Sequence, residues 1–349
     1  MSYLDNIRKV IPYTPGEQPN RPGMIKLNTN ENPYPPAPGV AKVLKEFNED
    51  TLRLYPDPKI SSLVNALAKR YSVDPEQVFV GVGSDDVLAM CFMTFFNSEK
   101  PILFPDITYS FYDVWAELYG IPYKRIPLDE NFKIKASDYE IPNGGIVIAN
   151  PNAPTGILES VDFIEGIVKA NPDSAVIVDE AYIDFGGETC LPLIDKYENL
   201  LVVRTFSKSR CMAGLRIGYA IGNAKLIKYI MDVKFSINSY TMNTPTIALG
   251  LASLRDNEYF EECCQRVIST RERAEEQLIK LGFTSTNSYA NFLFVSHKEK
   301  KAEYIFEELK KRKIYVRYFK KPRIDNYLRI SIGTDDEMVK LVEALKEIV

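Results

Sequence analysis

The sequence predicts an α/β protein with a large domain built on a mostly parallel seven-stranded sheet and a smaller α+β domain. Two observations support this prediction. Short apolar runs alternate with helical segments from about residue 78 to 221, which is typical of βα units that form a parallel sheet. After residue 222 a long helical stretch and a mixed segment replace that alternation, which indicates a second domain. A chain of 349 residues is long enough for both domains.

The predicted elements of the large domain follow an irregular N-terminal segment. Residues 11–38 are rich in proline and have no helical period, so they predict an extended arm. Helical spacing follows at 39–49 and 59–71. Strands are predicted at 78–82, 101–104, 122–126, 145–149, 175–178, 200–204 and 217–221. Helices fit between most of these strands, for example at 85–97, 108–119 and 160–170.

The C-terminal part contains the elements of the small domain. A helical stretch covers roughly 223–280 and is interrupted near 239–245. Strands are predicted near 291–295, 314–318 and 327–332, and helices near 300–312 and 335–348. We therefore predict a large domain over 46–249, and a small domain that combines the arm, 1–45, with 250–349.

Composition excludes several classes of function. A hydrophobic content of 45% is ordinary for a globular protein, and a net charge of −4 gives no basic footprint for nucleic acid. No apolar run approaches the length of a membrane span, and Met1–Pro12 does not resemble a signal peptide. Five cysteines without disulfide or metal spacing indicate a reduced, cytoplasmic protein. The single histidine, His297, which we expect on the surface, excludes a histidine triad or a multi-histidine metal site.

The segment after the sixth predicted strand contains the most informative residues. Lys208 follows the apolar run 200–203 by a few residues, and lysine is almost never fully buried without a reason. Ser207 and Arg216 supply a hydroxyl donor and a bidentate cation, which are the groups that bind a phosphate. An amine beside such a pair is the arrangement of a lysine that forms a Schiff base with pyridoxal phosphate. A lysine that simply ends a strand is the alternative.

Two strands further upstream also end in polar residues. Asp179 follows the apolar run 175–178, at the edge of the sheet where ligands gather, and its carboxylate can pair with a protonated pyridine nitrogen. Tyr182 can hydrogen-bond the ring hydroxyl, although a simple helix cap is the alternative for Asp179. Asn152 lies in the rigid turn 150–156 and offers a donor and an acceptor to a ligand, although the segment alone indicates only a turn.

With these three strand ends in this order, the chain resembles the fold-type-I pyridoxal-phosphate enzymes of the aspartate aminotransferase superfamily. The segments 25–34, 54–57, 81–86, 290–294 and 328–334 are similar to signatures of the histidinol-phosphate aminotransferases, and the resemblance covers nearly the whole chain. It implies a homodimer with pyridoxal 5′-phosphate as cofactor and no nucleic-acid or membrane partner. It also implies transamination of histidinol phosphate, a phosphorylated amine, with a 2-oxo acid, expected to be 2-oxoglutarate.

The resemblance implies roles for residues around the cofactor. Ser84 and Asp85 follow a strand and open a helix, so their backbone amides are placed to bind a phosphate together with Ser207 and Arg216. In the family an aromatic residue after the next strand stacks on the ring, and Tyr109 holds that position. From the residues alone, Tyr109 could equally belong to the core.

Other implied roles concern catalysis, the neighbouring subunit and the substrate. Lys208 would be the catalytic residue, moving a proton as general base and then acid. Tyr55 would reach the cofactor phosphate of the neighbouring subunit. Arg329 would bind the substrate phosphate, with Arg317 and Tyr13 as further candidates for that pocket.

One position departs from the family pattern. The family usually has two asparagines before Pro-Thr-Gly, and the second bonds the ring hydroxyl, but this chain has Ala153 there. Either Asn152 substitutes for it or Tyr182 makes the bond alone. Two other activities remain open from the motifs: decarboxylation of L-threonine O-3-phosphate, and transamination of aromatic amino acids.

Overall fold

The computed structural model describes residues 2–14 and 16–349, which form two β-sheets surrounded by helices. In chain order the strands are β1 (Ile25–Leu27), β2 (Val78–Gly81), β3 (Ile102–Pro105), β4 (Tyr123–Ile126), β5 (Gly145–Ala149), β6 (Val176–Asp179), β7 (Leu200–Thr205), β8 (Gly218–Gly222), β9 (Phe283–Ser285), β10 (Phe292–His297), β11 (Ile314–Tyr318) and β12 (Leu328–Ser331). The α-helices are α1 (Pro38–Lys45), α2 (Ser61–Tyr71), α3 (Ser84–Phe95), α4 (Phe111–Tyr119), α5 (Val161–Ala170), α6 (Ala224–Ile237), α7 (Thr244–Arg255), α8 (Asn257–Lys280), α9 (Ala302–Lys311) and α10 (Asp335–Ile348).

The large sheet has seven strands in the order β2-β8-β7-β6-β5-β3-β4. Five of them, β3 to β7, run parallel to one another, and β8 is antiparallel to both β2 and β7. The predicted fold class, with its mostly parallel seven-stranded sheet, is therefore confirmed. Asp179 at the end of β6 is in register with Ala149 of β5 and Val203 of β7, so the carboxyl ends of these strands meet at one edge.

The central strands are apolar throughout because both faces of the sheet are covered. In β6 the side chains of Val176 and Val178 join one hydrophobic cluster, while Ile177 between them joins another on the opposite face. Strand β7 alternates in the same way. Continuous apolar runs are what a strand buried on both faces requires, and they are why these strands could be recognised in the sequence.

The small sheet has the order β1-β11-β12-β10-β9 and includes a strand from the arm. Strand β1 pairs in parallel with β11, which ties residues 25–27 to a partner almost 290 positions later in the chain. The small sheet packs on a separate hydrophobic cluster, which contains side chains from β10, β12, α8, α9 and α10. The predicted boundary between 249 and 250 falls inside α7, and the division of the chain at that point stays a prediction.

One local expectation was wrong. His297 is not on the surface but is only 6% exposed at the end of β10. Its Nε2 lies 2.9 Å from the carbonyl oxygen of Leu281, and its Nδ1 accepts from the backbone amides of Glu299 and Lys300. The imidazole therefore closes a turn, a use that the sequence pattern did not indicate. Across residues 2–14 and 16–349, no helix combines the length and apolar character that crossing a membrane needs.

Candidate active site

A cavity of about 240 Å³ lies at the edge of the large sheet where β2, β5, β6 and β7 end. It is enclosed by residues from each of these strand ends, from the arm and from the loop before α4. The predicted site residues that line it are Ser84, Asp85, Tyr109, Asp179, Tyr182, Ser207, Lys208 and Arg216.

Lys208 presents an amine that the protein leaves largely uncommitted. Its Nζ lies 3.4 Å from the carbonyl oxygen of Thr29 and 5.7 Å from the centre of the Tyr182 ring. Its own backbone carbonyl accepts a hydrogen bond of 3.0 Å from the Asn32 side chain, which fixes the backbone while the amine stays available. Within residues 2–14 and 16–349, no carboxylate forms an ion pair with it. An unpaired amine at a cavity wall is suited to bond with a carbonyl compound.

A second wall of the cavity combines a helix N-terminus with a guanidinium group. Ser84 begins α3 immediately after Gly83, whose φ of +88° is in the region that favours glycine. A Cβ on Gly83 would lie 2.5 Å from Arg216 Nη2, so glycine is needed for the close approach of Arg216. The Arg216 guanidinium is held at 3.0 Å by Asp85 and lies 3.5 Å from Ser207 Oγ. Backbone amides, a hydroxyl and a guanidinium together make a site for a phosphate.

The cavity lining also includes a buried carboxylate. Asp179 is 6% exposed, and its carboxylate accepts hydrogen bonds from the Tyr112 hydroxyl at 2.9 Å and from the Ala181 amide at 3.2 Å. Burial raises the pKa of Asp179 to about 6. No cationic side chain of the described residues pairs with it, so a cationic group placed in the cavity would relieve the cost of burying this charge.

Tyr109 contributes an aromatic face to the cavity. Its hydroxyl donates to Asp85 at 2.8 Å, and burial together with that carboxylate raises the Tyr109 pKa well above its usual range. The ring packs against Phe111, Tyr112 and Trp115, which hold it in place. Tyr109 is thus both a cavity residue and a member of an aromatic cluster, so the two readings of the sequence are compatible.

Asn152, in contrast, is not brought to the cavity. Its amide nitrogen donates to the carbonyl oxygen of Ile107 at 2.9 Å and to Thr155 at 3.1 Å, and its amide oxygen accepts from Thr108 at 2.7 Å. All of its donors are therefore used to hold two loops together. The residue at the cavity wall is Ala153. Of the two alternatives that the sequence left open, the geometry favours Tyr182 as the donor.

Tyr55 also lies outside the cavity of its own chain. Its side chain is 83% exposed, and its ring packs at a tilt against Tyr240, with 4.7 Å between the ring centres. The position is compatible with a contact to another molecule, and no contact of Tyr55 with its own cavity exists in the described structure.

Two of the proposed substrate residues lie side by side on neighbouring strands of the small sheet. Arg317 of β11 and Arg329 of β12 are register partners, and neither forms an ion pair with a described residue. Arg329 Nη2 donates to the carbonyl oxygen of Asn28 at 3.1 Å, while its buried Nε has no partner in the described chain. Burial lowers the pKa of Arg329, and the neighbouring charge of Arg317 lowers it further. Two adjacent arginines without an acid are a site for an anion.

Tyr13 belongs to the arm and packs against the first residue of α4. Its ring stacks on Phe111 with 4.3 Å between the ring centres, next to the aromatic cluster that includes Tyr109.

Sequence reasoning missed the part that the arm plays in the site. Thr29 and Glu31 line the cavity, and Asn30 donates to Tyr182. The run of polar residues at 28–32 was recognised as a signature, but its spacing gave no indication of which side chains it would meet.

Comparisons with known proteins agree with this geometry. A family model described as aminotransferase class I and II matches residues 22–345. The chain therefore belongs to the class I and II aminotransferases. It is similar to a histidinol-phosphate aminotransferase from Chromohalobacter salexigens, at 53% identity over 98% of this chain and 97% of that one. It is also similar to a histidinol-phosphate aminotransferase from Lactococcus lactis, at 52% identity over 99% and 96%.

A solved structure supports the fold independently. The crystal structure of the histidinol-phosphate aminotransferase from Clostridium acetobutylicum matches with a TM-score of 0.85, covering 93% of this chain and 99% of that one. The sequence identity is 24%, so this likeness concerns the fold alone.

Proposed function

We propose that this aminotransferase moves the amino group of histidinol phosphate to 2-oxoglutarate, with pyridoxal 5′-phosphate as cofactor. The products are imidazole acetol phosphate and glutamate, and histidine biosynthesis uses the reaction in the opposite direction. The observation that carries this proposal is the uncommitted amine of Lys208, which lines the same cavity as the buried carboxylate of Asp179 and the phosphate cradle at Arg216. Two relatives above 50% identity with the same name support the choice of substrate.

The residues of the cavity fit the cofactor group by group. Bound pyridoxal phosphate supplies an electron-withdrawing ring that stabilises negative charge on the substrate carbon. Asp179 would be the anion for the ring nitrogen, and its lack of a cationic partner among the described residues supports this role. The amides at the start of α3, with Ser207 and Arg216, would bind the phosphate. Tyr109 would contact the face of the ring, and Tyr182 would donate to the ring oxygen.

Lys208 performs the proton transfer. Its Nζ would hold the cofactor covalently. The same amine, once free, is the group that would take the proton from the substrate carbon as general base and give it back as general acid. The hydrogen bond from the Asn32 side chain to the Lys208 backbone carbonyl holds the backbone of Lys208 in place for this role.

The substrate phosphate binds at the two arginines of the small sheet. A phosphate dianion would offset the burial of Arg329 and its repulsion from Arg317, and would give the unpartnered Nε of Arg329 an acceptor. Tyr13 borders this region from the arm.

The active enzyme is proposed to be a homodimer in which Tyr55 reaches the cofactor phosphate of the partner. Apolar side chains are exposed around Tyr55, and burying such a patch stabilises an assembly. They are Leu52, Leu54, Phe235, Ile237 and Tyr240.

Product analysis tests the proposed activity. The purified enzyme is incubated with 2-oxoglutarate and either histidinol phosphate, L-threonine O-3-phosphate or phenylalanine. We expect glutamate to form fastest with histidinol phosphate and no carbon dioxide to be released from the phosphorylated threonine. Release of carbon dioxide would instead identify a decarboxylase, and a preference for phenylalanine would identify an aromatic aminotransferase.

A further inference from the structure

We propose that Asn30 is a positioning residue that turns the hydroxyl hydrogen of Tyr182 toward the cofactor ring. In this role it compensates for the amide donor that is missing at Ala153. The inference rests on the proposed function in one respect, namely that the ring oxygen of the cofactor lies on the Tyr182 side of the cavity.

A hydrogen bond joins the two side chains. Asn30 Nδ2 donates to the Tyr182 hydroxyl oxygen at 3.0 Å. A phenol has a single hydrogen, and a bond accepted from Asn30 leaves that hydrogen free to be donated elsewhere. Among the described residues no group accepts it, and Tyr182 lines the cavity. The remaining direction for this donor is therefore the cavity itself.

Further hydrogen bonds hold the side-chain amide of Asn30 in this orientation. Its Oδ1 accepts from Ser331 Oγ at 3.0 Å, and the same Ser331 oxygen accepts from the Asn30 backbone amide at 2.8 Å. The backbone carbonyl oxygen of Asn30 accepts a third hydrogen bond, of 3.0 Å, from the side chain of Asn291. Asn30 is 1% exposed, with a φ of +55°. Turning the amide would place its nitrogen at Ser331 and its oxygen at Tyr182, which would draw the Tyr182 hydrogen away from the cavity.

Neither Ala153 nor Asn152 places a second side-chain donor beside Tyr182. Ala153 lies at the cavity wall and packs in the same small cluster as Tyr182 and Phe292. The neighbouring Asn152 uses its amide hydrogens on Ile107 and Thr155. The ring oxygen therefore depends on one hydroxyl, and the direction of that hydroxyl decides whether it receives a hydrogen bond at all.

The predicted consequence can be measured without substrate. A hydrogen bond donated to the ring oxygen weakens the hold of that oxygen on the proton at Lys208 Nζ. Loss of the bond therefore raises the pH midpoint at which the visible absorption band of the bound cofactor changes. For one ordinary hydrogen bond the rise is about 0.4 to 1 pH unit.

The experiment is a spectroscopic pH titration of the holoenzyme and its variants. We expect Asn30→Ala to raise the midpoint, and we expect no rise from the same change in a Tyr182→Phe background, because Asn30 acts through Tyr182. Ala153→Asn should lower the midpoint and should restore it in the Asn30→Ala variant. Asn291→Ala is the matched control, since it loosens the same segment without touching the Tyr182 hydroxyl.

Asn30→Asp serves if the alanine variant does not fold. It keeps the acceptor for Ser331 but replaces the donor with an acceptor, so the Tyr182 hydrogen turns away from the cavity. The new negative charge by itself raises the pH midpoint, and this part of the rise persists in the Tyr182→Phe background. The additional rise seen only when Tyr182 is present measures the positioning effect. The inference is overturned if the midpoint does not move, if it moves equally in both backgrounds, or if Asn291→Ala moves it as much. A protein that binds no cofactor would overturn the proposed function as well.

Discussion

The buried carboxylate of Asp179 is the residue whose environment most clearly anticipates a ligand. Its pKa of about 6 without the cofactor means that the folded protein holds a proton more tightly than the unfolded chain, where an aspartate has a pKa near 3.8. The stabilisation that comes from this proton is complete below pH ~4 and is lost as the pH rises through about 6. A cationic ring nitrogen placed beside Asp179 would offset the cost of ionising this buried carboxylate.

Asp179→Asn should therefore stabilise the cofactor-free protein at high pH. Asparagine keeps an acceptor for Tyr112 and cannot ionise, so the gain is expected to be close to zero at pH 4 and about 2–3 kcal/mol at most at pH 8. Urea unfolding of both cofactor-free proteins at the two pH values measures it. A gain of equal size at pH 4 and pH 8 would show that ionisation of Asp179 is not its cause.

Arg329 is expected to read the substrate phosphate through its fork of donors. Arg329→Lys keeps the charge but loses the bidentate geometry. The value of kcat/KM for histidinol phosphate should therefore fall about ten- to a hundredfold, which corresponds to a loss of roughly 1.5–3 kcal/mol in transition-state stabilisation. Histidinol, which lacks the phosphate, is the control substrate and should lose much less. Equal losses for the two substrates would show that Arg329 does not contact the phosphate.

Among the individual residues of the site, those that follow a strand could be predicted from the sequence, whereas the contacts made by residues of the arm could not. Lys208 and Asp179 follow apolar runs that are legible in the sequence, and both line the cavity. Asn30 meets Tyr182 and Ser331, which are 152 and 301 positions away, so no local pattern could indicate those contacts. Asn152 was expected at the cavity because its side chain can bond a ligand, but the two loops it joins use all of its donors first.

Among the helices, α6 carries a buried lysine that joins two loops. Lys234 is 2% exposed, and its Nζ donates to the carbonyl oxygens of Pro58 and Ser239, the latter at 2.9 Å. One of these loops contains Tyr55 and the other contains Tyr240, and the two rings pack against each other. The helix thereby holds together the two segments that the proposed dimer contact requires.

Lys234→Met should lower the free energy of unfolding by about 1–3 kcal/mol, because two carbonyls lose a charged donor while the cost of burying the ammonium is also removed. Lys228→Met on the same helix is the control: its side chain is 70% exposed, and its pair with Asp232 is worth a few tenths of a kcal/mol at most. Urea unfolding at one fixed protein concentration compares them. Similar losses for both variants would contradict the role given to Lys234.

The secondary structure was largely legible in the sequence, with instructive exceptions. All seven strands of the large sheet lie within one residue of their predicted positions at each end, since strands buried on both faces are apolar throughout. Strands β1 and β9 were missed because each has three residues and takes its place only by pairing. The break between α7 and α8 at Asp256 was also missed. The antiparallel direction of β8 was not predicted, because it depends on how the chain connects β7 to β8 and not on the residues of the strand itself.

For the whole molecule, the proposed homodimer makes each active site depend on both chains. A mixture of Lys208→Ala and Tyr55→Phe subunits should form hybrids in which one of the two sites has both residues intact. Activity of the mixture should therefore exceed that of either parent after subunit exchange. If Tyr55 serves the site of its own chain, no hybrid contains an intact site, and the mixture will show no activity beyond its parents.

The central claim is that the amine of Lys208 carries the cofactor, and borohydride reduction tests it most directly. The purified enzyme should be yellow, and reduction should fix the cofactor permanently to one lysine. Since a modified lysine resists trypsin, the label is expected on the peptide Thr205-Phe206-Ser207-Lys208-Ser209-Arg210. Lys208→Ala, reduced in parallel, should carry no label on any peptide. Stoichiometric label on a different lysine of the unaltered enzyme would contradict the account.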